Sequence, residues 1–138
     1  MRTFLVLVCT FNAVTAAEPG YYRQPAIHSD TVVFVAEGDL WSVPVAGGRA
    51  TQLTTHPAAE ENPSISPDGK SLAFTARYEG STDVYTMPMT GGRPRRLTYD
   101  GARISHVGWT PDGKLLVGTD VHAGLPAQQL VEIGRAHV

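Results

Sequence analysis

A histidine and two glutamates form the most suggestive cluster of ionisable side chains in this sequence. His56 precedes Glu60 and Glu61 by a short connecting stretch. The cluster falls between two strand-like patterns, in the kind of connection that often carries binding residues. We expect an ordinary solvated loop here, with a position at the rim of a channel as the functional alternative for these three residues.

The other candidate residues do not complete a catalytic site. Three serines lie near strand-like segments, but no His/Asp pair is spaced to activate them: Ser64, Ser66 and Ser105. The sequence lacks a G-x-S-x-G elbow and an H-E-x-x-H motif. Its five histidines are scattered without metal-ligand spacing. We therefore predict no catalytic residue, no metal site and no cofactor in these residues.

The segments around these side chains repeat with an offset of 44 residues. Three segments recur: Asp39–Arg49 as Asp83–Arg93, Leu53-Thr54 as Leu97-Thr98, and Ser66–Lys70 as Thr110–Lys114. A period of about 40–45 residues built from short β patterns and Gly/Pro turns is typical of a propeller blade. The sequence therefore predicts an all-β fold, a partial β-propeller of about two and a half four-stranded antiparallel blades after a signal peptide.

The repeat predicts blades at about residues 25–54, 62–98 and 104–131. The apolar run Thr31–Ala36 indicates a strand covered on both faces. Pro44 and Pro88 share one register and are expected near strand ends, because proline cannot donate to a ladder. The second blade is longer, and we place its extra residues in the turn Tyr78–Thr82.

Two Pro-Asp-Gly turns recur at the same place within blades two and three. Proline presets the first corner, aspartate bonds to its own backbone and glycine takes the left-handed position. We assign these six residues a structural role rather than a catalytic one: Pro67, Asp68, Gly69, Pro111, Asp112 and Gly113.

Composition and the N-terminus indicate an exported protein. The net charge of −2 and the pI near 6.2 argue against binding to nucleic acid or to an anionic membrane surface. Arg2, an apolar stretch and small residues at Val14 and Ala16 form a signal peptide, residues 1–16. Cys9, the single cysteine, lies within it. We expect a periplasmic or secreted protein without disulfides or membrane attachment after cleavage.

The last residues break the blade pattern. Glu132–Val138 back-translates in frame to a common sequencing adapter, so we interpret residues 133–138 as a non-native tail that packs against nothing. A natural tail is the alternative. The blades are then confined to residues 17–132.

The blade consensus, an S-P-D-G-K turn followed by an apolar strand, an aromatic strand and a G-G-x-x-x-x-L-T ending, resembles the WD-like repeats of TolB-type propellers. Tyr21–His28 followed by Val32–Trp41 is more specifically similar to the first blade of bacterial tricorn-type serine proteases. In those proteins a signal peptide leads directly into a propeller. The resemblance covers about residues 21–131.

The resemblance implies a function for a longer parent protein. Tricorn-type propellers gate peptides towards a PDZ-like domain and a catalytic region with a serine nucleophile, and no catalytic motif of the family falls within these residues. The implied partners are a peptide or unfolded-protein substrate of the full-length enzyme, and the further blades and catalytic region of the same polypeptide. Two alternatives remain: a non-enzymatic TolB-like periplasmic propeller that binds protein partners, and the propeller of a prolyl-oligopeptidase-like hydrolase.

Overall fold

The protein is represented by a computed structural model that describes residues 20–101, 103–120 and 129–135. Regular structure in these ranges consists of β-strands. The strands are β1 (Arg23–His28), β2 (Thr31–Ala36), β3 (Asp39–Pro44), β4 (Thr51–Gln52), β5 (Glu60–Ile65), β6 (Ser71–Glu79), β7 (Ser81–Pro88), β8 (Arg95–Arg96), β9 (Ile104–Trp109), β10 (Lys114–Thr119) and β11 (Gln129–Arg135).

The strands form three consecutive antiparallel sheets. Blade 1 has the order β1-β2-β3-β4, blade 2 the order β5-β6-β7-β8, and blade 3 the order β9-β10-β11. The first strands β1, β5 and β9 lie side by side at the inner edge of the three sheets. The predicted partial propeller is confirmed, whereas the predicted signal peptide lies outside the described residues.

Blades 1 and 2 share the register that their repeat predicts. Phe34 pairs with Trp41 in blade 1, and Phe74 pairs with Tyr85 in blade 2. The two prolines are the last residues of β3 and β7, which confirms their expected place at strand ends. The extra residues of blade 2 are not a loose turn, because β6 and β7 extend to a tight hairpin at Gly80, which has a φ of 100°.

The inner strands contain bulges that the hydrophobic pattern gives no sign of. The pairing of β1 shifts between Arg23 and Ala26, and that of β5 shifts between Glu61 and Ser64. Gln24 and Asn62, inside these bulges, have positive φ angles of 50° and 54°. The Gln24 side-chain carbonyl accepts the Asn62 backbone N–H at 2.8 Å, so each bulge helps to join β1 to β5.

Two hydrophobic clusters fill the spaces between blades. The first lies between blades 1 and 2 and consists of Val33, Val35, Leu40, Leu72, Phe74, Ala76, Tyr85 and Met87. The second lies between blades 2 and 3 and consists of Ala73, Val84, Leu115 and Val117. Successive residues of β6 enter different clusters because side chains alternate across a strand.

Strand β2 corrects one expectation. Val33 and Val35 are fully buried, but Val32 and Phe34 are only half-buried, so the strand is not equally covered on its two faces. The buried pair packs towards blade 2. On the opposite face of blade 1 the Tyr22 ring packs edge-on against Phe34, with centroids 5.1 Å apart, and covers it only in part. The apolar run of β2 therefore reflects two apolar faces, of which the one towards blade 2 is fully buried.

The C-terminal strand corrects another expectation. Ile133 pairs with Leu115 and packs against the second cluster, although residues 133–138 were expected to pack against nothing. The physical reason is the period of the strand: Val131 and Ile133 fall on the same face, which is the face turned to blade 2. Residues 136–138 lie outside the described residues.

We predict that Phe74→Ala lowers the free energy of unfolding by about 3–5 kcal/mol, because Phe74 is fully buried in the first cluster and its removal leaves a cavity. Tyr99→Ala is the control, since Tyr99 is 69% exposed, and should cost less than about 1 kcal/mol. Urea unfolding followed by circular dichroism measures both. Equal losses would contradict the placement of the core between blades 1 and 2.

Candidate functional site

The side chain of Glu60 occupies the boundary between blades 1 and 2. Glu60 is the first residue of β5, and its backbone N–H donates to the Gly38 carbonyl in the β2–β3 turn at 2.8 Å. This bond holds the start of blade 2 against blade 1. The Glu60 side chain is consequently fully buried, although the residue follows a surface connection in the sequence.

The buried carboxylate of Glu60 is surrounded by hydrogen-bond donors from both blades. Oε2 accepts the Leu40 backbone N–H at 3.2 Å and the hydroxyl of Thr54, while Oε1 accepts the hydroxyl of Tyr78. The Thr54 oxygen in turn accepts the Leu40 N–H at 2.9 Å. A carboxylate can only accept hydrogen bonds, so this set of donors suits the ionised form.

Burial and hydrogen bonding act in opposite directions on this carboxyl group. Burial raises the pKa of Glu60 above its ordinary value of 4.5, and the hydrogen bonds from Thr54 and Tyr78 lower it only in part. The charge of Asp39 also raises the pKa of Glu60. The pKa of the Tyr78 hydroxyl is raised as well, by burial and by its bond to Glu60.

An aromatic group covers the Glu60 site. The ring of His56 lies over that of Tyr78 with centroids 3.9 Å apart, and Tyr78 packs on Tyr85 at 4.6 Å. The loop that carries His56 is held in place because the His56 N–H donates to Asp39 Oδ1 at 3.1 Å. His56, Glu60 and Tyr78 line one side of a cavity of about 210 Å³ at this boundary.

The structure brings together two of the three residues that the sequence places at a channel rim. His56 and Glu60 both contact Tyr78, His56 from the exposed side and Glu60 from the buried side. Glu61 is exposed on the inner strand β5, and its carbonyl accepts the Thr75 hydroxyl at 3.1 Å. The group that forms around Glu60 therefore includes Tyr78 and Thr54, which the sequence does not single out.

The first repeat turn, Pro67–Gly69, is built from local hydrogen bonds. The Ser66 hydroxyl donates to Asp68 Oδ1 at 2.6 Å and the Lys70 N–H donates to the same atom at 3.1 Å, which lowers the pKa of Asp68. Gly69 has a φ of 71°, and a Cβ at this position would lie 2.9 Å from the His28 ring. The turn of blade 2 thus rests on blade 1.

The second repeat turn, Pro111–Gly113, has the same construction. The Gly113 N–H donates to the Thr110 carbonyl at 3.0 Å, and the hydroxyl of Thr110 lowers the pKa of Asp112. This turn is one residue shorter, because the Thr110 N–H donates to the Lys114 carbonyl whereas the Ser66 N–H donates to that of Ser71.

A repeated set of polar residues joins the outer strands of blades 1 and 2. In blade 2, Arg96 donates to the buried Asp83 at 2.8 Å, and the Thr98 hydroxyl donates to Asp83 at 3.0 Å. In blade 1, Gln52 donates to Asp39 at 2.8 Å. Asp39 and Asp83 are 44 residues apart, and so are Gln52 and Arg96, so the repeat indicates that the two pairs are equivalent. The contact within each pair is seen only in the structure.

Thr54 and Thr98 occupy equivalent places in this set but donate differently. Each accepts the N–H of a strand residue at 2.9 Å, from Leu40 and Val84 respectively. Thr98 donates within its own blade, whereas Thr54 donates to Glu60 of the next blade. Both threonines therefore make the same bond to a strand N–H. Only Thr54 also joins two blades, because β5 begins with a glutamate that accepts its hydroxyl.

The described residues offer packing groups and one buried proton-binding group at the boundary between blades 1 and 2. Across residues 20–101, 103–120 and 129–135, no group of three or more His, Cys, Asp or Glu side chains is placed to hold a metal ion. In the same ranges, no helix is long and apolar enough to cross a bilayer. Glu60 can hold or release a proton, and its surroundings make it a cross-blade contact.

Three successive antiparallel sheets, with inner strands side by side and cores between the sheets, define a partial β-propeller. The sequence profile of the tricorn protease N-terminal beta propeller domain matches residues 19–137. The chain therefore belongs to the family of tricorn protease N-terminal β-propeller domains.

Individual relatives agree with this family. Tricorn protease homolog 1 of Streptomyces coelicolor is 41% identical over 65 residues, which are 47% of this chain and 6% of that protein. The crystal structure of the tricorn protease matches with a TM-score of 0.74 at 24% identity, over 84% of this chain and 12% of that one. The chain thus spans a small part of the proteins that it resembles.

TolB from Acinetobacter baumannii has a similar fold. Its crystal structure matches with a TM-score of 0.72 at 23% identity, over 83% of this chain and 30% of that chain. At this level of identity the likeness concerns the fold alone.

We predict that Tyr78→Phe lowers the free energy of unfolding by about 1–3 kcal/mol, because it removes a donor from the buried Glu60 carboxylate. Tyr85→Phe is a matched control. Within the described ranges, the buried Tyr85 hydroxyl has no hydrogen-bond partner, so its removal should be neutral or stabilising. Chemical denaturation of the two variants checks this, and a Tyr85 effect as large as that of Tyr78 would contradict it.

We predict that Glu60 makes the free energy of unfolding depend on pH. Because burial raises its pKa, the folded state binds the proton more tightly than the unfolded chain, and the free energy of unfolding falls as the pH rises through the raised pKa. Glu60→Gln cannot ionise and should lack this fall.

Urea titrations at several pH values from about pH 4 to about pH 8 measure the free energy of unfolding of the wild type and of Glu60→Gln. The stability of the wild type relative to the variant should decrease as the pH rises. Glu61→Gln removes an exposed charge from the same strand and controls for net charge. A difference between wild type and Glu60→Gln that is constant or increases with pH would contradict the assignment.

Proposed function

We propose that this chain supplies blades of a substrate-gating propeller in an exported tricorn-type serine peptidase. The observation that carries the proposal is the family match over residues 19–137. The peptidase activity itself belongs to the longer polypeptide, since the 65 aligned residues correspond to only 6% of the relative from Streptomyces coelicolor. In this proposal the blades line a passage for peptide substrates, and peptide-bond hydrolysis takes place in another part of the longer polypeptide.

The surface that would meet a passing peptide is the inner edge of the blades. The exposed Glu61 lies on β5, one of the inner strands, and the exposed His56 lies in the connection that leads to that strand. The buried Glu60 holds the start of β5 against blade 1. The three residues therefore divide into two that can contact a peptide and one that fixes the position of the edge.

The two rival functions have less support. The likeness to TolB at 23% identity concerns the fold, and so does the likeness to a puromycin hydrolase at 21% identity with a TM-score of 0.63. Neither likeness carries a function to this chain. The family match and the 41% identity to a tricorn protease homolog favour the peptidase.

Gating is tested in the full-length protein encoded by the gene. The double variant His56→Ala, Glu61→Ala should change kcat/KM several-fold for long peptides and leave that for a short fluorogenic peptide unchanged, because only long substrates remain in contact with the blade edge. Thr51→Ala, an exposed change on the outer strand β4, is the control. Absence of serine-dependent peptidase activity would overturn the proposal, and an unchanged length preference would overturn the gating role.

Export is tested separately. The charged Arg2, the apolar stretch and the small residues Val14 and Ala16 predict cleavage after Ala16. Intact-mass measurement of protein recovered from a bacterial periplasm should show a chain that begins at Ala17. Protein confined to the cytoplasm, or a retained Met1, would contradict export.

A further inference from the structure

An imidazole ring from blade 1 fills the space beside the first repeat turn. His28 Nε2 lies 2.8 Å from the Pro67 carbonyl oxygen, and because a carbonyl can only accept, this nitrogen is the donor. The ring also lies against Gly69, where an added Cβ would be 2.9 Å from it. The first repeat turn therefore has a place for an imidazole ring at the boundary between blades 1 and 2.

The equivalent space beside the second repeat turn is not filled in the described part of the chain. Ser66 takes the place of His28, because each directly follows an isoleucine that pairs with the second residue of the next strand. The Ser66 hydroxyl stays within its own turn, where it donates to Asp68 Oδ1 at 2.6 Å and accepts the Ser71 N–H at 2.9 Å. No atom of the described residues lies within 4 Å of a Cβ added at Gly113.

A cavity of about 240 Å³ occupies this space between blades 2 and 3. It lies at the end of blade 2 opposite to Glu60, since Glu60 begins β5 and Ser66 follows the last residue of that strand. Trp109 lines the cavity together with both repeat turns, and its indole is fixed because Nε1 donates to the Ser64 carbonyl at 3.0 Å. Aromatic side chains pack well on other rings and attract cations.

The charges at this cavity favour a cationic ring. Asp68 and Asp112 both line it, and hydrogen bonds within the turns lower the pKa of each carboxyl group. The bonds from the Ser66 hydroxyl and the Lys70 N–H are accepted by Oδ1 of Asp68, which leaves Oδ2 for a further donor. Lys114 offsets part of the charge of Asp112, from which its Nζ is 3.5 Å away.

We propose that the cavity beside the second repeat turn binds the imidazole side chain of a histidine from another polypeptide. The ring takes the place that the His28 ring has one blade earlier. One of its N–H groups donates to the Pro111 carbonyl, as His28 donates to Pro67, and the other donates to Asp68 Oδ2. Both walls of the cavity belong to blades of this chain, and the proposal does not depend on the peptidase function.

The first experiment is an NMR titration of the 138-residue chain with Nα-acetylhistidine amide at about pH 6, where an imidazole is largely protonated. Saturable shifts are expected for the Trp109 indole N–H and the Gly113 backbone N–H. The dissociation constant should be on the order of 1–10 mM, as suits a ligand held by one ring. Nα-acetyllysine amide has the same blocked backbone and a cation without a ring, and it should bind at least about tenfold more weakly.

A charge variant tests the carboxylate. Asp68→Asn keeps an oxygen that can accept the bonds of the turn but removes the charge, so it should weaken the binding of Nα-acetylhistidine amide several-fold. Asp100→Asn removes an exposed carboxylate that does not line the cavity and should leave the dissociation constant unchanged. Equal affinities of the two variants would contradict the role of Asp68.

A second variant tests the equivalence of the two turns. In the wild type the His28 ring occupies the place beside Gly69, so the Gly69 N–H should not respond to the ligand. His28→Ala empties that place, and a second saturable site reported by the Gly69 N–H should then appear. If His28→Ala gains no such site, the turn does not retain a free imidazole and the inference is overturned.

Two further results would overturn the proposal. Wild-type spectra in which Trp109 and Gly113 show no saturable shift would exclude a histidine site in this cavity. Equal binding of the histidine and lysine amides would show a general attraction for cations in place of a site for an imidazole ring.

Discussion

Each blade of this protein is a sheet with two apolar faces, and this single constraint governs the rest of the structure. A sheet that is apolar on both sides cannot exclude water by itself and must be covered by a neighbour on each side. The two clusters on either side of blade 2 meet this requirement, and every large apolar residue of β6 belongs to one of them or packs beside it. The arc of blades therefore derives its stability from contacts between repeats rather than within them.

Polar contacts between blades depend on the same packing. Glu60 is buried because β5 must approach blade 1 closely enough for the first cluster to form, and its carboxylate is tolerable there because Leu40, Thr54 and Tyr78 supply donors. Breaking such a buried arrangement costs more than forming it gains. The site is consequently a point where blade 1 and blade 2 are fixed in orientation, beside the exposed His56 that our functional proposal assigns to the rim.

Much of the fold could be predicted from the sequence because its signals are local. The spacing of the Gly-Gly and Pro-Asp-Gly turns reflects positive φ angles, which glycine adopts at little cost. Gly47 and Gly91 do have such angles, 85° and 89°. The register of Phe34 with Trp41 follows from a tight turn between two alternating strands. The bulge at Gln24 could not be anticipated, since glutamine rarely adopts a positive φ, whereas asparagine does so more readily and Asn62 therefore carries a weak signal.

The sequence by itself determined the strands, the turns and the number of repeats, because these depend on residues close together in the chain. Tertiary structure alone decided how far each face of a strand is covered: in β2, Val33 and Val35 are fully buried, whereas Val32 and Phe34 are half-buried. It also decided that Glu60 is buried while Glu61 is exposed, and that Ile133 packs against the cluster between blades 2 and 3. Burial depends on residues that are distant in the sequence: the hydrogen-bond partners Leu40 and Thr54 are 14 positions apart, and Glu60 and Tyr78 are 18 apart.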